Sequence, residues 1–299
     1  MKKLPLVFSG CLLGLAGAGN LILDTLPVLS HILSLSGLVL WIYFLILHLF
    51  NWKETKQELT KPPLLSGMAT FPMAGMILST YVFRVFSHLP LVAQGLWWFS
   101  FLLDWALIVI FTIKFAYPCK RVNSTPSWTV LYVGIAVAAL TYPLVGIIEI
   151  AYVTLIFGFL LTFYLYPLIY SDLKKHPLPL ALLAQEGIYC APFSLLLASL
   201  VRLGGESLPN WVLIVMILAS QSFFFFVLTR LPNILKQGFQ PSFSALPFPT
   251  ISTAIALKMS QGILKLPFLD YLVVAETVIC LTILFFVLGA YLIWLRKKV

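Results

Sequence analysis

Four basic residues, Arg84, Arg202, Lys258 and Lys265, stand apart from the other fifteen in a chain with 19 Lys and Arg against 10 Asp and Glu. The fifteen, from Lys2 to Lys298, fall at the termini or beside every second connection between apolar runs. This is a positive-inside distribution, which predicts cytoplasmic termini and an even number of membrane spans. Orientation does not account for the four. Arg84, Arg202 and Lys258 fall at the outward ends of three apolar runs, where cations around an outer vestibule would concentrate anions and repel cations. The competing reading is snorkelling to lipid headgroups, or, for Lys258, pairing with an acid.

Acids inside the apolar runs are few: Asp104, Glu149, Glu186 and Glu276. Ionisable groups at membrane depth are costly and mark proton coupling or ion pairing. Glu186, just before Gly187, is the strongest candidate for proton coupling, against a structural pairing with Lys or Arg. Other chemistry is missing from the pattern. There is no Walker A loop, HExxH, GxSxG or Rossmann glycine fingerprint. His31, His48, His88 and His176 are isolated, and Cys11, Cys119, Cys190 and Cys280 lack metal-ligand spacing. No enzyme activity, cofactor, metal or nucleic-acid partner is expected.

The elements that position these residues are membrane helices. With 61% hydrophobic and 10% charged residues in 299, the chain lacks the polar groups to cover a soluble surface, and its solvent is lipid. The apolar N-terminal run is expected to be a retained first span. The pattern predicts one polytopic all-α domain over 1–299, with ten transmembrane helices paired as hairpins over residues 5–50, 64–116, 127–170, 180–230 and 243–294. Odd helices carry the small, hydroxyl and helix-bending residues, among them Gly14, Thr70, Pro72 and Pro192. Even helices are bulkier, with Trp41, Trp97, Trp98, Trp105 and Phe223 to Phe226. Irregular or polar backbone is tolerated where it is buried in protein or lines water. The odd helices are therefore expected to form an inner ring around a passage; close packing through small residues, with no pore, is the alternative.

In the ninth run, Pro241-Ser242-Phe243-Ser244-Ala245-Leu246-Pro247-Phe248-Pro249-Thr250-Ile251-Ser252 resembles the corresponding helix of the tellurite-resistance/dicarboxylate transporter family. That family takes in bacterial tellurite-resistance proteins, fungal malate permeases and plant guard-cell slow anion channels. Phe8-Ser9-Gly10 with Leu13-Gly14-Leu15-Ala16, Gly187-Ile188-Tyr189-Cys190-Ala191-Pro192 and Thr229-Arg230-Leu231-Pro232 resemble its first, seventh and eighth helices in order and spacing. The resemblance implies five hairpins in quasi-fivefold array around a central pore, a homotrimer in the cytoplasmic membrane, and Phe248 as a plug. On an ideal helix Ser244, Phe248, Ser252, Ile255 and Met259 share a face. Ser244, Ser252, Ile255, Thr70, Pro72, Pro192, Pro249 and Gly14 are thus the expected lining. The function implied is movement of small anions or organic (di)carboxylates. A proton-coupled C4-dicarboxylate carrier, and outside transport a membrane-embedded enzyme or interaction protein, are the alternatives.

Overall fold

Proline sets where many of the helices begin. It lacks a backbone N–H and its φ is already helical, so it costs nothing in a first turn. In the computed structural model, which describes residues 4–117 and 121–297, Pro27, Pro90 and Pro267 each start a long helix. Cys119 and the basic residues Lys2, Lys3, Lys120 and Lys298 lie outside the described residues.

A 3₁₀ turn, Leu6–Phe8, leads into α1 (Ser9–Leu21), followed by α2 (Pro27–Phe50), α3 (Trp52–Glu58), α4 (Pro62–Gly67), α5 (Thr70–Val85) and α6 (Pro90–Phe111). Then come α7 (Ser127–Val133), a 3₁₀ turn at Gly134–Ala136, α8 (Val137–Thr141) and α9 (Ile148–Lys175). A 3₁₀ segment, Leu180–Cys190, precedes α10 (Ala191–Gly204) and α11 (Asn210–Lys236). A last one, Pro241–Ala245, precedes α12 (Pro247–Leu264) and α13 (Pro267–Lys297).

Among the described residues, eight helical stretches are long and apolar enough to cross a membrane, not the ten that the sequence pattern predicts. Leu6–Leu21 is apolar but shorter, and α12, rich in Ser and Thr, is not among the eight. Nearly every residue of α1 and most of α12 are buried in protein, so neither has to be apolar towards lipid.

The two kinds of helix separate by burial. In Pro62–Val85, Ser127–Leu144 and Leu180–Ser207, 78, 83 and 61% of the most apolar window is buried, against 22 to 39% in α2, α9, α11, α13 and Pro90–Ala116. The second group runs without a break, Pro90–Ala116 closing in a π-helical turn at Thr112–Ala116, and turns residues such as Ile32, Phe163, Leu218 and Phe286 outward. Each segment of the first group, and likewise the runs ending in α1 and α12, changes helical geometry or breaks partway. Contacts among these inner segments close on themselves: α1 packs on α5, α5 on α8, α8 on α10, α10 on α12, and α12 on α1. Their first halves form a second closed cycle through Leu6–Phe8, α4, α7, Leu180–Cys190 and Pro241–Ala245. Each outer helix packs beside an inner segment adjacent to it in sequence.

Hydroxyls and glycines make the joints. Ser9 and Thr70 meet at 2.6 Å between α1 and α5, Ser66 and Ser127 at 2.7 Å between α4 and α7, and Ser194 and Ser252 at 2.6 Å between α10 and α12. The turn at Gly134–Ala136 takes its residues out of the regular α-helical ladder, and Ser199 donates to the carbonyl of Ala136 at 2.9 Å. The joint of α1 with the α12 run is glycine: a methyl group at Gly10 would fall 2.3 Å from the Ser244 carbonyl oxygen. Small residues let backbones approach in this way where no hydrophobic force drives helices together.

Candidate functional site

Two cavities lie among the inner segments, and each of the five runs lines both. The first, about 70 Å³, is bounded by Gly10, by Thr70 and Met73, by Ser127 and Val130, by Gln185 and Pro192, and by Ser244, Phe248 and Pro249. The second, about 600 Å³, is bounded by Gly17 and Asn20, by Ile77 and Arg84, by Leu140 and Thr141, by Arg202, and by Ile255, Lys258 and Met259. In every run the earlier residues belong to the first cavity and the later ones to the second. The two therefore lie in succession along the segments; on α1, Gly10 and Gly17 are separated by roughly 10 Å at about 1.5 Å per residue.

Phe248 borders the smaller cavity and packs against a residue of the larger. It is buried, it forms part of the wall of the smaller cavity, and a methyl group at Gly17 would come within 3.2 Å of its Cδ2. Gly17 itself lines the larger cavity. The ring thus lies between the residues of one space and those of the other, against a wall that has no side chain.

The expected lining divides. Ser244, Thr70, Pro192 and Pro249 border the smaller cavity and Ile255 the larger. Ser252, Pro72 and Gly14 border neither. The Ser252 hydroxyl is taken by Ser194 and the Pro249 carbonyl. Pro72 is buried two residues, about 200° of helix, from Thr70. Gly14 accommodates Pro247 and Leu284, near which a methyl group would fall at 2.8 and 3.2 Å. Even the lining hydroxyls are occupied: Thr70 donates to Gly67, Thr129 to Pro126 and Ser244 to Pro241, at 2.8 to 3.1 Å. Most of the odd-helix hydroxyls thus serve as joints between helices or donate to their own backbone, those that border the smaller cavity included.

Sequence reasoning passed over two polar groups here. Gln185 and Ser242 line the smaller cavity and are buried, and the Gln185 carboxamide oxygen and the Ser242 hydroxyl have no hydrogen-bond partner. The available signal was an amide inside an apolar run, overshadowed by the charge of its neighbour. That neighbour, Glu186, turns away from both cavities. It accepts from Arg230 Nε at 2.8 Å and Nη2 at 2.9 Å, at the mouth of a separate groove with Tyr166, Tyr170, Tyr189 and Phe226. Asp104 and Glu276 are buried, with neither carboxylate oxygen of Asp104 hydrogen-bonded, and neither residue borders a cavity; Glu149 is exposed in the first turn of α9.

Arg84, Arg202 and Lys258 come together in the larger cavity from three different segments. Arg84 donates to the Asn20 side chain at 3.0 Å, whereas Lys258 donates to the Leu21 carbonyl at 2.8 Å and to Asp24 at 3.0 Å. Arg202 carries no ion pair among the described residues. Three cations thus face one carboxylate, with Asp24 itself bordering the space. Among the described residues no cluster of metal-ligating side chains occurs.

The chain belongs to the SLAC1 family of voltage-dependent anion channels. The family model matches residues 3–292, which takes in all five inner segments and both cavities. This agrees with the tellurite-resistance/dicarboxylate transporter resemblance of the sequence. No curated protein matches the chain closely enough to be named as a relative. Membership of the SLAC1 family implies anion channel or transporter function in a multi-pass membrane protein, with small anions as the solutes.

Proposed function

We propose that the two cavities are the two halves of one anion pathway, closed at Phe248. The observation that carries this reading is the division of each inner segment into an earlier part on the smaller cavity and a later part on the larger, with the Phe248 ring between them. A phenyl ring filling a narrow apolar neck stops ions by excluding both the ion and its hydration water. The closed cycles of contacts support a quasi-fivefold array of five hairpins, with α1 and α12 completing a set of ten crossing helices. The distribution of basic residues supports cytoplasmic termini in a cytoplasmic membrane, so the cavity with Arg84, Arg202 and Lys258 is the outer vestibule. Homotrimeric assembly rests on the family resemblance.

Glu186 is paired with Arg230 outside the pathway, which favours passive conduction over proton-coupled dicarboxylate carriage. The test is anion flux in proteoliposomes with chloride, nitrate, malate and succinate, with and without a pH gradient. Flux that follows voltage, rises in Phe248→Ala and ignores the pH gradient supports the channel. Saturating malate flux that needs protons and is lost in Glu186→Gln supports the carrier. Reconstituted Phe248→Ala protein with no anion permeability overturns both.

A further inference from the structure

The groove at the Glu186–Arg230 pair lies on the outside of the bundle, away from both cavities. It runs between α9, which supplies Tyr166 and Tyr170, and α11, which supplies Ser222, Phe223, Phe226 and Arg230. Glu186 and Tyr189 of the inner segment Leu180–Cys190 lie between them. A 3₁₀ helix has three residues per turn, so side chains three apart share a face. Glu186 and Tyr189 accordingly face the groove, and Leu182, Gln185 and Ile188 the smaller cavity. Ring contacts hold the walls in place. Tyr166 packs on Phe223 with centroids 4.9 Å apart and Tyr189 on Phe226 at 6.0 Å, while the Tyr166 hydroxyl donates to the Tyr189 carbonyl.

Arg230 is the exposed member of its ion pair, its side chain 38% accessible against 15% for Glu186. Nε and Nη2 hold the carboxylate through two of the five guanidinium N–H donors, and the others have no partner among the described residues. The depth of the groove matches a leaflet. From Arg230 to Lys236, the last residue of α11, is about 9 Å on a helix about 40 Å long. With about 30 Å of hydrocarbon to cross, Arg230 falls near the boundary between chains and headgroups, at the end of the bundle that carries Lys174, Lys175 and Lys236. From Arg230 to Ser222 the groove continues for about 12 Å, most of the roughly 15 Å that the chains of one leaflet occupy.

We propose that this groove binds one membrane phospholipid, with its phosphate on the free edge of Arg230 and an acyl chain along Phe223 and Phe226. The site is separate from the anion pathway and rests only on the membrane setting that the family gives. A guanidinium already held by a carboxylate on one edge can still present a fork of donors to a phosphate on the other, and phosphate oxygens match that fork. Tyr170, exposed at the same level, suits the interface, where an aromatic ring sits in the chains and its hydroxyl among the headgroups. A second copy of the chain seated here would bury the guanidinium and have to supply an acid. At this end the chain has none to spare: Asp172 accepts from Arg121 and Ser124, Glu186 is taken by Arg230 itself, and Glu54 and Glu58 have interactions of their own. A lipid phosphate brings the missing charge and the apolar chain in one molecule.

The experiment reconstitutes the full chain in vesicles of phosphatidylethanolamine and phosphatidylglycerol with a trace of phosphatidylethanolamine bearing a photoactivatable diazirine on its acyl chain, and maps the cross-links by peptide mass. The outward face of α13 at Phe285 and Phe286 is the reference for lipid that merely surrounds the protein. Labelling of α11 between Ser222 and Arg230 is expected to exceed that reference by about tenfold, the scale of one hydrogen bond to a charged group. A diacylglycerol probe with the same chains and no phosphate is expected to label the two faces equally. Arg230→Gln combined with Glu186→Gln removes both charges and strands neither, and should bring the phospholipid ratio down to the diacylglycerol value. Ser222→Trp, which fills the groove from an exposed position and leaves the ion pair intact, should do the same. Equal labelling of the two faces in the wild type overturns the site. Enrichment of diacylglycerol to the same degree, or enrichment that survives the double variant, overturns the phosphate contact and the proposal with it. A groove left unlabelled while α13 is labelled means that another protein surface, such as a second copy, covers it, and also overturns the proposal.

Discussion

The two cavities are walled by the two halves of the same five segments, yet they rest on different physics. The smaller lies among 3₁₀ turns and short helices, has no charged side chain in its wall, and spends most of its hydroxyl hydrogens on its own backbone. The larger lies among regular α-helical ends and carries Arg84, Arg202 and Lys258. Those ends matter, because a helix C-terminus bears about half a negative charge and would repel anions. Arg84 falls in the last turn of α5 and Arg202 in the last turn of α10, while Lys258 bonds the carbonyl of Leu21, the final residue of α1. The cations therefore offset the helix ends. Broken backbone walls the smaller, neutral cavity, and helix ends offset by cations wall the larger one.

The contrast is tested most strongly by removing the ring proposed to divide the cavities. Phe248→Ala is expected to raise anion flux in proteoliposomes by roughly tenfold or more, equivalent to a barrier lowered by about 1.4 kcal/mol. Equal flux in the variant and wild type would mean that the two spaces are not divided by this ring.

Glycines on the same helix should respond differently at the two cavities. Gly10→Ala drives a methyl group towards the Ser244 carbonyl, and the backbone there cannot swing away. A loss of about 1–3 kcal/mol, read as a lower melting temperature in detergent, is expected. Gly17→Ala meets the Phe248 ring and the Ile251 side chain, both at 3.2 Å. Its stability cost should be smaller, with the change appearing in flux, because the methyl group bears on the ring itself.

Charge substitutions belong to the larger cavity alone. At 10 Å in water a unit charge is worth about 0.4 kcal/mol, so Arg84→Gln or Arg202→Gln should each lower flux by about twofold at low ionic strength. The effect should fade as the Debye length falls to about 3 Å in 1 M salt. Asp24→Asn should raise flux by a similar factor and Lys258→Gln should lower it, and currents recorded across a salt series check both signs. Flux insensitive to all four at low salt would reduce the cations to lipid-facing anchors.

The smallest effect is expected from Ser252→Ala. Its hydroxyl joins α10 to α12 and lines neither cavity, so about 1 kcal/mol of stability should be lost while anion selectivity stays unchanged. A shift in selectivity would return Ser252 to the pathway.

Much of this arrangement is legible in the chain before any folding is considered. Apolar content, the Lys and Arg count and the contrast between Gly, Ser and Pro-rich runs and Trp and Phe-rich runs report the solvent of each surface, because lipid excludes irregular and polar backbone. From that follow a membrane protein, buried odd runs and exposed even ones, and the grouping of Arg84, Arg202 and Lys258 at one end. Phe248 stood out only through its place in the Pro241 to Ser252 motif.

What composition and spacing did not carry was the direction of individual side chains. An ideal α-helix places Ser252 on the Phe248 face, and the packed structure turns its hydroxyl to Ser194. Gln185 and Glu186 are neighbours in the chain, and charge makes Glu186 the more conspicuous. The 3₁₀ geometry of Leu180–Cys190 puts the amide in the cavity and the carboxylate on Arg230. The sequence by itself determined which segments are inside and which end is cationic, since burial and orientation depend on residue type summed over a whole span. Only the tertiary structure decided which hydroxyls became joints, where the ring of Phe248 rests and which polar groups remain unpaired, because those depend on helical phase and on the neighbour that each side chain meets.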